Sequence, residues 1–157
     1  MTTIVFGVID LPYADAASYK EVRARKPKEV RNSSVTTGDV AEILEEHYHV
    51  MGNFVELHAD QISGDLQDSF AKALNAILDG APPTFDPAGA AISTIQHRFH
   101  EFLQNREMDG RVAGVPTEAA KSGRSKRFKR ASKRRKDRPS FVDTGLYDAS
   151  FIAWVED

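Results

Sequence analysis

The chain has 157 residues, of which 41% are apolar and 28% are charged, the balance of one ordinary globular domain with a sizeable core. It contains no cysteine, which excludes disulfides, thiolate nucleophiles and zinc sites built on cysteine. The sequence shows no run of about 18 apolar residues and no basic stretch at its start, so we expect neither a membrane span nor an export signal.

The formal net charge of −2 conceals a segregation of charge along the chain. Residues 121–138 hold eleven Lys/Arg and one acid, whereas all other residues hold 10 Lys/Arg and 22 Asp/Glu. Six further basic residues cluster in 20–31, against two acids, and residues 32–120 carry 4 basic and 14 acidic residues. The sequence therefore predicts an acidic body that carries two basic arms.

The first half of the chain predicts a strand followed by a long helical segment. Residues 3–10 show an alternating pattern with β-branched and aromatic side chains, which is typical of a strand. Residues 14–36 show no sustained period, and we expect an extended basic connection there. From 39 to 79 apolar residues recur at spacings of three and four. One straight helix of that length would span about 60 Å, so Gly52 or Gly64 is expected to mark a bend or a break.

The second half predicts one more helix, a long basic loop and a final strand. Asp86 followed by Pro87 favours a helix start, and the apolar stripe that follows predicts a helix over roughly 88–108. Residues 111–139 are predicted to form a loop, and about 150–155 a strand. The fold class expected is α+β, with a small mixed or antiparallel sheet packed by the helices. We expect a single domain over 1–157, with 14–36 and 111–139 as extended basic arms.

The stretch Asp143-Thr144-Gly145 is the sequence of an aspartic protease catalytic loop. Such an enzyme needs two carboxylates that share one proton, so a chain this short would have to work as a homodimer. Only twelve residues follow Gly145, too few for both a substrate-covering hairpin and a supporting strand. We therefore expect Asp143 to hold the backbone of a turn at Gly145, which starts a short helical turn at Leu146.

The C-terminal stretch "RPSFVDTGLYDASFIAWVE" resembles the signature of the tail-completion and virion-morphogenesis proteins of tailed bacteriophages. In that family a basic loop leads to Arg/Lys-Pro, an apolar pair, Asp-Thr-Gly, an apolar residue, and then Ser before an apolar strand. Arg138-Pro139, Phe141-Val142, Asp143 to Leu146, and Ser150 to Ile152 match in this order. Relatives often have a basic residue after the apolar residue that follows Gly, whereas this chain has Tyr147-Asp148.

The resemblance implies a structural, non-enzymatic virion protein at the neck or tail end, assembled in the host cytoplasm. It implies a homo-oligomeric ring, for which six-fold symmetry is expected, that joins or terminates the tail at the head. Neighbouring neck and tail proteins would be its partners, with DNA in the lumen, no membrane and no cofactor. The turn residues Asp143, Thr144, Gly145 and Ser150 would tie the last strand into the sheet. Independently of the resemblance, we expect the large aromatic side chain of Trp154 to be a core or interface anchor.

The histidines suggest a metal site only weakly. His47 and His58 fall on the apolar stripe, about 16 Å apart along one helix, so we expect both to be buried and hydrogen-bonded. His97 and His100 lie three residues apart and could both bind one metal ion, but no acidic residue has the matching spacing. We expect no metal.

The basic run within 121–138 has three possible interpretations. It could clamp the acidic body of a neighbouring subunit, contact DNA phosphates with Phe128 available to stack on a base, or form a solvated loop. The alternative function is a nucleic-acid-binding accessory protein that uses residues 121–138. The residues predicted to contact a subunit or DNA are Arg124, Lys126, Arg127, Lys129, Arg130, Lys133, Arg134, Arg135 and Lys136.

Overall fold

The computed structural model describes residues 3–12, 35–80, 86–122, 138–142 and 145–156. The fold is α+β, as predicted. Its elements in chain order are β1 (Thr3–Val8), α1 (Thr37–Tyr48), α2 (Val50–Leu78), α3 (Pro87–Gln104), α4 (Glu118–Ser122), α5 (Leu146–Ser150) and β2 (Phe151–Glu156).

The two strands pair antiparallel, so the first and last described elements of the chain form one small sheet. The register places Val8 opposite Phe151 and Thr3 opposite Glu156. Both predicted strands are confirmed, although β1 ends two residues earlier than expected. Because side chains alternate between the faces of a strand, the sheet turns one face to the core and one away from it.

The core is an aromatic cluster centred on Phe54 of α2, which is fully buried. Its ring meets Phe99 and Phe102 of α3 at centroid distances of 5.1 and 5.5 Å, and Phe6 and Phe151 of the sheet at 6.3 and 6.1 Å. Phe99 also stacks on Phe151 at 3.8 Å. These contacts join α2, α3 and the sheet at one end of the long helix.

The predicted long helix is broken, but at neither of the two glycines suggested for it. The chain turns at His49, which has a left-handed backbone with φ of 49° and separates α1 from α2. The Glu45 carboxylate accepts hydrogen bonds from the backbone N–H groups of Met51 and Gly52, at 2.8 and 3.1 Å. A Cβ at residue 52 would lie 3.2 Å from a Glu45 oxygen, so Gly52 lets the carboxylate approach the new helix end. Gly64 lies inside the continuous α2.

The second predicted helix starts where expected and ends earlier. Asp86 is the N-cap of α3, and its carboxylate accepts a hydrogen bond from the Gly89 N–H at 3.0 Å. The helix ends at Gln104 instead of residue 108, because the backbone of Arg106 adopts a positive φ of 59°. The predicted loop over 111–139 also contains the short helix α4.

Helices α2 and α3 form an antiparallel pair of unequal length. Arg98 of α3 binds Asp65 of α2 at 2.5 Å, midway along the pair. With 29 residues, α2 is about 43 Å long and its last buried residue is Ala73. No helix within the described ranges is both long and apolar enough to cross a membrane.

Candidate interaction surfaces

The nine basic residues predicted to contact a subunit or DNA lie outside the described residues. Asp143 and Thr144 of the signature also lie outside them. The predicted roles of these eleven residues therefore stay predictions. What the structure adds is the surface of the body from which the two basic segments leave.

That body is strongly acidic. The described residues hold 6 Lys/Arg and 17 Asp/Glu, a charge of −11, while the remaining residues hold 15 and 6, a charge of +9. The two values sum to the −2 of the whole chain. The part of the chain that the structure describes is therefore acidic, and 15 of the 21 Lys/Arg lie outside it.

The last two turns of α2 expose a row of large apolar side chains. Phe70, Leu74, Ile77 and Leu78 are 53%, 58%, 51% and 75% exposed. Their spacing of four, three and one residues places them on one side of the helix. We call these four residues the distal face. The apolar spacing over 39–79 includes Phe70, Leu74 and Ile77 together with Phe54, but these three do not belong to the buried face. That face continues through Ser69 and Ala73, whereas Leu74, twenty residues after Phe54, lies about 200° around the helix from it.

The sheet presents a second apolar surface on the side away from the core. Val5, Gly7, Ile152 and Trp154 form this outer face, as the register requires. Trp154 is 40% exposed, and its ring lies over Gly7, where a Cβ would come within 3.1 Å of two ring carbons. The prediction of Trp154 as a core anchor is wrong because the strand register turns it outward. Its role as an interface anchor stays a prediction.

The first basic segment leaves and re-enters the body at one clamped point. Pro12 and Thr36 form an antiparallel bridge. The buried hydroxyl of Thr37 accepts a hydrogen bond from the Leu11 N–H at 2.7 Å and donates one to the Ile9 carbonyl at 2.5 Å. The Thr37 N–H donates to the Leu11 carbonyl at 2.8 Å. We call this clamp the stem; it fixes both ends of residues 13–34.

Asp10 adds a polar lock to the stem. Its carboxylate accepts a hydrogen bond from the Gly38 N–H at 3.0 Å, at the start of α1. Hydrogen bonds from the Thr36 side chain and from the Gly38 backbone lower the pKa of Asp10 below its ordinary value. The carboxylate therefore stays ionised to a lower pH in the folded protein than in the unfolded chain.

The described part of the signature forms a turn that joins α3 to the sheet. Gly145 has a positive φ of 76° and precedes α5, as predicted for a helical turn starting at Leu146. The buried Ser150 hydroxyl donates to the Tyr147 carbonyl at 2.8 Å, and the Ser150 carbonyl accepts from the Ile9 N–H at 2.8 Å. Ser150 is thus held by its own turn and by the chain that follows β1.

Asp148, at the position where this chain departs from the signature, makes a contact that sequence reasoning missed. Its side chain is 3% exposed and lies 2.6 Å from Nδ1 of His100 on α3. Gln104 donates to the same carboxylate oxygen at 3.3 Å. The residues are more than forty positions apart, and no local spacing could have paired them. The arrangement ties α5 to α3.

Of the two histidines predicted to be buried, His58 is and His47 is not. His58 is buried and bonded, with Nε2 3.0 Å from Glu107 and Nδ1 2.6 Å from Gln61, as expected. His47 is exposed, so its predicted burial is wrong, because the turn at His49 changes the helical phase between the two residues. His97 lies 3.5 Å from Glu101, whereas His100 contacts Asp148, so the two histidines have different acidic partners.

The described residues contain no group of three or more side chains placed to hold a metal ion. An open, shallow depression lies between the end of α3 and the chain before the signature turn, lined by Phe102, Arg106, Asp109, Ser140 and Phe141 among others. The two apolar faces and the stem are the more extensive surface features of the described residues.

Comparison with protein-family models, with curated proteins and with solved structures finds no match to this chain. The resemblance to phage tail-completion proteins accordingly rests on the residues of the signature and on the order of the elements around it.

Proposed function

We propose that the chain is a structural, non-enzymatic subunit of a tailed-bacteriophage virion. Copies of it would form a ring at the neck or tail end that joins or terminates the tail at the head. One geometric observation carries the proposal beyond the signature. The body has two unlike apolar surfaces, the distal face of α2 and the outer face of the sheet, and no described element covers either of them.

A ring requires two different surfaces on each subunit. In a closed ring the contact is heterologous, so one surface of a copy meets another surface of the next copy. The distal face is a row of side chains on a helix, whereas the outer face lies on a two-stranded sheet and carries Trp154. Large contiguous apolar patches on a protein surface often mark an interaction site.

Charge supports association between copies. The described body carries −11 and the remaining segments +9, so the segments of one copy are attracted to the body of another. Two polar side chains of the signature support a structural role because they hold the fold together. The Ser150 hydroxyl donates to the carbonyl of Tyr147 in its own turn, and one Asp148 oxygen contacts His100 and Gln104 of α3.

Electron microscopy of a lysate from virus that lacks this gene tests the proposal. Filled heads beside free tails of normal length would support a joining protein, and tails of uncontrolled length would support a terminator. Intact, infectious particles would overturn the structural role.

The basic run gives a second test of the same proposal. Neutralising Arg127, Lys129, Arg130, Lys133, Arg134 and Arg135 together should abolish particle assembly and leave the far-ultraviolet circular dichroism of the purified chain unchanged. Normal assembly of the neutralised chain would make the run a solvated loop.

A nucleic-acid-binding accessory protein is the second candidate, favoured by nine Lys/Arg between Arg124 and Lys136 with Phe128 among them. Binding to duplex DNA through several phosphates would weaken steeply with salt, with a slope of about −0.9 per contact in a double logarithmic plot. A shallow slope would argue against this candidate.

A further inference from the structure

The distal face of α2 needs an occupant, and the chain itself contains a segment of the right chemistry. We propose that in the assembled protein residues 13–34 of one copy cover the distal face of the next copy. This inference rests on the proposed ring function and names the contact that would build the ring.

The apolar side chains of the distal face and the acidic residues around it favour a partner that is both apolar and basic. Its four large side chains offer apolar area that water now covers. From residue 60 onward α2 carries Asp60, Asp65 and Asp68, and its C-cap is Asp79, against the single cation Lys72. Asp65 is already paired with Arg98, whereas Asp60, Asp68 and Asp79 are exposed. A purely apolar partner would leave this acidic surround without counter-charge.

The two basic segments differ in how well they meet this demand. Residues 13–34 contain six Lys/Arg and three acids, interspersed with Tyr13, Tyr19, Val22 and Val30. Residues 123–137 contain nine Lys/Arg, one acid and a single large apolar residue, Phe128. The first composition suits an apolar helix face with acidic neighbours. The second suits a dense array of negative charge.

The stem determines how far the first segment can extend. Its ends lie side by side at Pro12 and Thr36, so 22 residues must go out and return. Half of them, fully extended, span at most about 36 Å. The stem follows β1, and Phe6 of β1 contacts Phe54 of α2. Leu74 lies 20 residues after Phe54, which is about 30 Å further along the helix. Reaching its own distal face would use nearly the whole span, whereas a neighbour in a ring can bring its distal face close.

The absence of cysteine makes a direct test simple, because every introduced thiol is unique. The full-length Tyr19→Cys chain is mixed with an isotopically labelled full-length Leu74→Cys chain and treated with a short bis-maleimide. The control replaces Leu74→Cys by Asn75→Cys, the next exposed residue, which points about 100° away around the helix. We expect about tenfold more mixed dimer with Leu74→Cys than with Asn75→Cys, measured by mass spectrometry.

Three results would overturn the inference. Equal yields at Leu74→Cys and Asn75→Cys would show no preference for the distal face. Dominant Leu74→Cys homodimers would mean that two distal faces pack on each other. Cross-linking only within single chains of a Tyr19→Cys/Leu74→Cys double variant would mean that each copy covers itself. If any of these occurs while the unmodified chain still forms rings in the microscope, the contact is wrong and the proposed function stands. Intact particles without the gene would remove the function instead.

Discussion

Both ends of α2 have apolar residues at spacings of three and four, but the large apolar side chains are buried near its start and exposed near its end. Near its start Phe54 is fully buried by rings from α3 and from both strands, whereas near its end Leu74 is 58% exposed. The buried face of α2 continues to Ser69 and Ala73, whereas Leu74 lies about 200° around the helix from Phe54 and meets no described element. A helical apolar stripe predicts that a face will be covered, but it does not say whether the cover belongs to the same chain.

The largest expected effect tests whether Phe54 is the centre of stability. Phe54→Ala should lower the free energy of unfolding by about 3–5 kcal/mol, because it leaves a cavity among four aromatic rings. Since that is a large part of a typical domain's stability, Phe54→Leu serves as a milder variant that keeps most of the volume. Urea unfolding followed by circular dichroism measures both. Phe70→Ala is the matched control and should change stability by less than about 0.5 kcal/mol. Equal losses at the two positions would contradict the comparison.

The next effect concerns the stem. Thr37→Val keeps the shape but leaves the Leu11 N–H and the Ile9 carbonyl without their buried partner. The loss should be about 1–3 kcal/mol. The control is Thr94→Val, since Thr94 is exposed on α3 and its hydroxyl donates to the Ala90 carbonyl at 3.3 Å. Thermal unfolding of both variants would separate a buried clamp from an ordinary hydroxyl, and equal melting temperatures would argue against the clamp.

A smaller change in stability, with a larger change in association, is expected at the distal face. Leu74→Gln should alter the free energy of unfolding by no more than about 0.5 kcal/mol, because the side chain is mostly in water already. Self-association, measured by sedimentation velocity, should weaken. A destabilisation as large as that of Phe54→Leu would mean that the distal end belongs to the core of each single copy.

The smallest expected effect is a dependence on pH at Asp10. Its pKa is lowered in the folded protein, so the ionised carboxylate stabilises the fold above the unfolded pKa of about 3.9, and this contribution is lost as the pH falls through the folded pKa. Asp10→Asn should therefore be slightly less stable than the unaltered chain at neutral pH and equal to it in strong acid. Chemical denaturation at several pH values measures this, and a difference that stays constant would contradict it.

Local signals in the sequence predicted the elements well. Alternating β-branched and aromatic residues predicted β1, and a β-like run after the Gly turn predicted β2. Asp86 with Pro87 predicted the start of α3 at the observed residue. Gly145 gave the turn into α5. In each case the physical cause lies within a few residues of the element, so a single sequence is enough to find it.

Features that depend on distant residues escaped prediction. The turn at His49 is supported by a carboxylate that folds back from Glu45, and a left-handed histidine has no strong sequence mark. Asp148 meets His100 only because α5 packs beside α3. Leu74 is exposed because it lies on the side of α2 away from the buried Ala73 face, and spacings of three and four alone did not separate the two sides. The predictions for the basic run concern residues outside the described ranges and stay as they were.

The stem also bears on how this protein could diversify. Because both ends of residues 13–34 are fixed at one clamp, the length of chain between them hardly affects the free energy of folding; for a loop of this kind, doubling the length costs only about 0.6 kcal/mol. Insertions, deletions or whole replacements between Tyr13 and Ser34 would leave the cluster around Phe54 untouched. Selection could therefore alter what this segment recognises while the scaffold that carries it stays the same.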